Sequence, residues 1–287
     1  MEFANRRDGY VLIAPVTLFL LVMLAIPILV DLLYSVSRVT FETIRTPSFI
    51  GLANFRAIVD DRAFWSAMLF SLRFAVFTTT AQVAIGLFLA IFLAPLLSQH
   101  PWLIAFLMLP MMAAPSLVGL MYRLILHEFV GVLPYYFYLF FNDSPSFLGA
   151  RNAFWTLVVV ETLQWTPFGL LILYSTYQSI PINIREAASI DGAGPWRRLI
   201  SIELPWMRTT VALVTFIRFI DSFRVFDNVY TLSGPGAGGA TTTMSIYIYE
   251  AFFRRDDIGV AVAASLVLLL LSFVDVAGLI RLSRRRS

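Results

Sequence analysis

Residues Asn183–Pro205 read NIREAASIDGAGPWRRLISIELP, the longest organised polar segment in a chain of 287 residues that is 59% hydrophobic. Its local signals predict helix, tight turn, helix. Asn183 is placed to cap the first helix, and Glu186 three positions on completes a capping box that satisfies two orphan N–H groups. Asp191-Gly192 offers a left-handed C-cap. Gly194-Pro195 restarts a helix with proline at its first position, where no N–H is needed, and Pro205 is expected to stop it. Ala187, Ala188, Gly192 and Ala193 gather at the bend. Side chains that small leave room for another protein surface to approach the backbone.

Around this segment the chain is membrane-like. A mean hydropathy of +0.80 is far above that of soluble domains and predicts an all-α integral membrane protein. Cysteine is absent, which excludes disulfides and thiolate chemistry. His100 and His127 are the only histidines, so no histidine metal site is expected. All 21 basic residues are arginine. Without lysine the chain cannot supply the phosphate-binding residue of a Walker A motif, a kinase lysine or a Schiff base.

Uncharged runs mark the spans. Val11–Val30 is twenty residues, roughly 30 Å of helix and enough to cross the hydrocarbon core. Its length argues for a retained helix rather than a cleaved signal peptide. Phe74–Leu97 and Trp102–Tyr122 follow, joined by a short loop at Ser98–Pro101. Gly131–Phe141 is too short to span, and Tyr135, Tyr136 and Tyr138 suit the interface. With flanks included, six spans are expected at 10–36, 66–97, 102–126, 153–178, 206–230 and 258–281, within a single domain of 1–287. The polar segment then lies in a loop at 179–205, and a glycine-rich loop, SGPGAGGATTT (Ser233–Thr243), precedes the last span.

Charge orients these spans. One side collects ten arginines (Arg6, Arg7, Arg185, Arg197, Arg198, Arg208, Arg281, Arg284, Arg285 and Arg286) against five acids. The other side has seven arginines and eight acids. The excess predicts both termini and the 179–205 loop in the cytoplasm. Trp65, Trp102, Trp155 and Trp206 sit near the starts of spans, at interface depth.

Ionisable groups inside spans are costly and mark a cavity or a partner. In the fourth span Glu161, Gln164, Trp165 and Phe168 follow i, i+3, i+4, i+7 and share one face. An indole beside amide and carboxylate groups suits a sugar, the ring covering C–H faces while polar groups bind hydroxyls. The competing reading makes Trp165 a packing residue and Glu161 half of an ion pair. In the fifth span Arg218, Asp221, Arg224 and Asp227 recur every third residue with alternating sign. Counting depth from the two span starts sets Arg224 opposite Glu161 and Asp221 opposite Gln164, so a Glu161–Arg224 pair is the expected structural arrangement. Asp31 and Arg73 lie near span ends, and Asp275 near the end of the last span has no evident role.

Several motifs together carry a resemblance. Glu186-Ala187-Ala188, then Gly192, then Ile202-x-Leu204-Pro205 is similar to the EAA loop of ABC importer permeases. EAASIDGA with Trp196 and the ending IELP resembles the carbohydrate-uptake branch. FIGLANF (Phe49–Phe55), WTPF (Trp165–Phe168) and FDNVYTL (Phe226–Leu232) look like counterparts in sugar permeases, the last favouring the first-type subunit of the usual unlike pair. The glycine-rich loop is less compact than the family's usual GGP-Thr, and Arg123 stands where tryptophan is common.

The resemblance implies six transmembrane helices and a cytoplasmic helix-turn-helix coupling loop in the bacterial inner membrane. It implies a second permease, a cytoplasmic ATPase dimer that binds ATP and magnesium, and an extracytoplasmic solute-binding protein. This chain would need no cofactor, metal or catalytic residue of its own. Lipid would surround it, a sugar or sugar derivative (anionic ones included) would pass through it, and nucleic acid has no place. Glu186, Ala187, Ala188, Asp191, Gly192, Ala193, Trp196, Ile202, Leu204 and Pro205 would meet the ATPase. Glu161, Gln164, Trp165, Phe168, Asp221, Arg224 and Asp227 would line the solute pathway. The rival readings are an ion-coupled secondary transporter with Glu161 and Asp221 as proton carriers, and an intramembrane enzyme.

Overall fold

A computed structural model describes the backbone over 6–234 and 240–284 and the side chains over 12–234 and 240–272. The side chains of Arg6, Arg7, Asp275, Arg281 and Arg284–Arg286, and the middle of the glycine-rich loop at 235–239, lie outside the described residues. In chain order the elements are α1 (Arg6–Ser35), β1 (Ser37–Arg38), β2 (Ser48–Phe49), α2 (Ala53–Asp60), α3 (Arg62–Phe92), α4 (Ala94–Gln99) and α5 (Trp102–Met112). There follow α6 (Pro115–Ile125), α7 (Val132–Phe141), α8 (Ala153–Gln178), α9 (Ile182–Ile190), α10 (Pro195–Arg198) and α11 (Leu204–Phe223). Last come α12 (Asp227–Leu232), α13 (Met244–Tyr249) and α14 (Ile258–Arg284). Among the described residues four helices are long and apolar enough to cross a membrane, or five if α5 and α6 count as one broken span.

The chain divides into two compact units, Met1–Arg62 with Tyr247–Leu270, and Ala63–Ile246 with Leu271–Ser287. In the first, β1 and β2 pair antiparallel, the one sheet among the described residues. Asn54, from the FIGLANF motif, is buried and donates to the carbonyls of Ser35 and Ser37, both at 2.9 Å. A Cβ on Gly259 would strike the same Ser37 carbonyl, so glycine allows α14 to pass close to β1. Tyr247 donates to Asp61 at 2.7 Å, and burial, reinforced by that bond, pushes its phenol up to about 12.

The second unit holds the polar segment and the long helices α3, α8 and α11. Here α8 runs over the same residues as the fourth apolar stretch. Its Gly169 and the facing Gly86 of α3 bring two backbones together, since a Cβ on Gly86 would lie 3.1 Å from the Leu170 nitrogen. Small residues at such crossings let helices approach where the hydrophobic effect does little.

The third expected span is not continuous. α5 and α6 meet at 83° across Ala113–Ala114. Pro115 opens α6 and disfavours helical backbone before it, and Ala114 is accordingly extended at ψ 134°. Over the fifth expected span, 206–230, the helix ends elsewhere on both sides. α11 stops at Phe223 with Arg224 as its cap, and α12 restarts at Asp227. At its beginning, Pro205 does not stop the preceding helix. α10 runs through a π-helical turn at Leu199–Glu203 into α11, with Pro205 directly after that turn, where the hydrogen-bond register changes.

Candidate functional site

A cluster of buried polar groups joins α3, α8, α11 and α12. Arg218 is 1% exposed, and its partners come from three helices. Its Nε donates to Gln82 of α3 at 2.8 Å, its Nη2 to Glu161 of α8 at 3.4 Å, and its Nη1 to Asp221 at 3.5 Å. The guanidinium lies 4.6 Å from the Trp165 ring centroid and 6.0 Å from that of Phe168, within range of cation–π attraction. Asn228 of α12 donates to Glu161 Oε2 and to Gln164 Oε1, both at 2.7 Å. Gln164 in turn donates to the carbonyl of Ala113 at 3.1 Å. That carbonyl sits at the break between α5 and α6, where no helical N–H can reach it. Charges withdrawn from water survive only when paired and hydrogen-bonded, and this cluster meets both conditions.

Beside it opens a cleft of about 300 Å³, lined by Pro115, Glu161, Trp165, Arg218, Asp221, Arg224, Val225, Phe226, Asp227 and Asn228. The α11–α12 break places Arg224, Phe226 and Asp227 at its rim. Arg224 is exposed and pairs with Asp221 at 3.2 Å, while Asp227 accepts from Ser116 at 3.5 Å. α6 reaches α12 so closely that a Cβ on Gly119 would collide with Thr231 Oγ1.

A second polar site lies at the other end of α8. Gly192 has φ +74°, as the left-handed C-cap requires. The Ala193 N–H donates to the Ala188 carbonyl at 2.9 Å and the Gly192 N–H to that of Ser189 at 3.1 Å, the paired bonds of a Schellman turn. Pro195 occupies the first position of α10 as expected. The capping box does not form. Pro181 takes the cap position with extended backbone at ψ 134°, so Asn183 lies inside the first turn and its Oδ1 accepts from Ile184 N. α9 and α10 flank a groove of about 530 Å³ lined by residues including Ala187, Ala188, Asp191, Ala193 and Ile202. Glu203, in the π-helical turn, is buried between Arg185 at 3.5 Å and Arg198 at 3.3 Å, and accepts from the Tyr177 hydroxyl at 3.3 Å.

The family model for the inner membrane component of binding-protein-dependent transport systems matches residues 82–286. The chain belongs to this family. It is 31% identical to the trehalose/maltose transport system permease protein MalF of Thermococcus litoralis, over 96% of this chain and 94% of that protein. It is 28% identical to the trehalose transport system permease protein SugA of Mycobacterium tuberculosis, over 93% and 85%. Its fold matches a crystal structure of a bacterial ABC transporter for the acidic polysaccharide alginate, with a TM-score of 0.82 at 20% identity over 98% of this chain. These relatives are sugar transport permeases, not enzymes.

Placed on the permease, the residues singled out for the pathway fall together. Glu161, Trp165, Asp221, Arg224 and Asp227 line the cleft, Gln164 joins through Asn228, and Phe168 flanks Arg218. The expected Glu161–Arg224 pair is wrong. Glu161 pairs with Arg218, and Arg224 points its charge to Asp221 at the surface. Gln164 faces Asn228 rather than Asp221. The depth count failed because it began α11 at Trp206, whereas the helical rod starts at Pro195 and ends before Arg224. Sequence reasoning passed over Gln82, Asn228 and Glu203. Gln82 was visible as an amide inside an apolar run and Glu203 as the acid within IELP. Nothing local pointed to their partners.

Proposed function

We propose that this chain is one permease of an unlike pair in an ATP-driven importer, moving a sugar or sugar derivative into the cytoplasm by alternating access. Family membership over 82–286 is the observation that carries the reading. The six spans, both termini and the 179–205 loop take the orientation that the arginine excess favours, with the loop inside. There Glu186, Ala187, Ala188, Asp191, Gly192, Ala193, Trp196, Ile202, Leu204 and Pro205 meet the ATPase, which alone binds ATP and magnesium. The exposed Trp196 and Ile190, 69% and 85% accessible, and the groove between α9 and α10 support a docking surface. A solute-binding protein delivers the solute from outside.

The cleft at Glu161, Gln164, Trp165, Phe168, Asp221, Arg224 and Asp227 is the solute pathway. Three carboxylates against two guanidiniums give it no net positive charge, which favours a neutral polyhydroxy solute over an anionic one. Among the described residues the buried Oδ1 of Asn228 has no hydrogen-bond partner, which leaves one acceptor unused in the wall of the cleft. An ion-coupled carrier would need a carboxylate free to take up a proton, and Glu161 is held by Arg218 and Asn228.

The test is to screen the cognate binding protein against a sugar library by thermal shift. The assembled complex is then asked to take up the hit into proteoliposomes. Uptake should require internal ATP and ignore a proton gradient. Uptake by this chain without an ATPase, driven by pH alone, would overturn the reading.

A further inference from the structure

We propose that Glu203 is a positioning residue that locks the loop to α8 and α11, so that both helices follow it as one lever. The inference rests on the ATPase-coupling role given to the loop above.

Four elements converge on one carboxylate. Glu203 belongs to the π-helical turn that joins α10 to α11, and it is 2% exposed. Arg185 reaches it from α9, Arg198 from α10, and the Tyr177 hydroxyl from the last turn of α8. Arg185 is bound twice more. Its Nη2 donates to the Tyr177 carbonyl at 2.8 Å and its guanidinium lies 4.2 Å from the Tyr177 ring centroid. The planar fork of arginine allows such a bridge, which a lysine point charge cannot reproduce.

The chemistry makes the joint stiff. A carboxylate this far from water is tolerated only while its partners stay in place, so α9 cannot slide without stripping Glu203 of a cation. Movement of α9 is therefore transmitted or resisted, not absorbed. On the far side of the joint, α10 continues through the Leu204 N–H to Leu199 carbonyl bond into α11. Higher up, Thr176 donates to Thr210 at 3.1 Å, and Glu161 meets Arg218 at 3.4 Å. Arg218 lies about 22 Å of helix beyond Glu203. α8 and α11 are thus tied at two levels, one at the loop and one at the cleft. π-helical turns recur where a helix must aim a side chain out of regular register, and this one aims Glu203 inward.

The chain has no cysteine, so an introduced pair gives this chain's only two label sites. Spin labels at Ile182→Cys in α9 and Leu163→Cys in α8, both exposed, would be measured in the purified complex with and without ATP and vanadate. The wild-type background should keep one narrow distance in both states. Glu203→Gln should still assemble with the ATPase but broaden or shift that distance by at least about 2 Å when ATP binds. Arg185→Lys keeps the charge but loses the bridge, and should show a smaller shift of the same kind. An assembled Glu203→Gln complex with the wild-type distance would overturn the proposal. So would failure of both variants to assemble, since the cluster would then be a folding element alone. Retention of the ATPase together with normal solute-stimulated hydrolysis by Gly192→Glu would instead show that the loop is not the docking site, a failure of the coupling reading rather than of the joint.

Discussion

Glu161 and Arg218, 57 positions apart in the chain, meet at 3.4 Å with side chains only 3% and 2% accessible. Around that pair Gln82, Gln164, Trp165 and Asn228 complete a polar layer between four helices. The cleft lined by Glu161, Trp165 and Asn228 opens beside that layer.

Breaking the pair from one side should be costly. Glu161→Gln leaves Arg218 with Gln82 and Asp221 alone, and should destabilise the permease by about 3 kcal/mol, the low end for a broken buried ion pair. Adding Arg218→Gln should recover most of that loss, whereas adding Arg224→Gln should recover none, because Arg224 is exposed and pairs with Asp221. Thermal unfolding of the three variants in detergent measures this. Rescue by Arg224→Gln would contradict the register of α8 and α11.

Trp165→Ala should weaken solute uptake by the equivalent of about 1–3 kcal/mol if the indole stacks on a sugar, by analogy with aromatic stacking on bases. It also removes the ring under Arg218, worth roughly 1 kcal/mol of cation–π attraction. Initial uptake rates against solute concentration separate the two losses from wild type. Normal uptake would move the pathway away from this face of α8.

Gly192→Glu should release the ATPase or abolish solute-stimulated hydrolysis while leaving the permease in the membrane. The backbone there has φ +74°, and a side chain adds roughly 1–2 kcal/mol of local strain. Gly192→Ala carries the same strain without the charge, since a Cβ meets nothing within 4 Å. Equal damage from both would assign the effect to the turn, and damage from glutamate alone to the docked surface.

Gly119→Ala should destabilise the unit by about 1–3 kcal/mol, as overpacking of a tight crossing does. Its Cβ would collide with Thr231 and approach the Asn228 carbonyl to 3.0 Å, pushing α12 away from α6 and Asn228 from Glu161. Thr231→Ala in the same chain should recover part of the loss. A stable Gly119→Ala single variant, read by thermal unfolding, would show the crossing to be looser than described.

Reporter fusions test the orientation. Fusions near Gly194 and at Ser287 should be active as cytoplasmic reporters, and fusions near Gly238 as periplasmic ones. Alkaline phosphatase activity at Gly194 would place the loop on the wrong side for any ATPase.

What the sequence determined by itself was local. Apolar runs of sufficient length make α1, α3 and α8 helical, because every backbone polar group in lipid must be satisfied within its own segment. The turn at Asp191–Gly194 was legible because a left-handed glycine and a helix-starting proline act over a few residues. So was the shared face of Glu161, Gln164 and Trp165, which needs only the helical period. Prolines were harder, since the same ring opens α6 and α11 from one side and ends a helix from the other. The tertiary structure alone decided who pairs with whom. Arg218 and Arg224 are six residues apart, about 9 Å of helix, so a small error in where α11 begins exchanges one for the other. That register is set by how α11 packs on α8, at Gly169 against Val214 and Thr176 against Thr210, and no single helix encodes it. Glu203 follows the same rule: its four-element joint exists only because a π-helical turn aims it at residues from α8, α9 and α10.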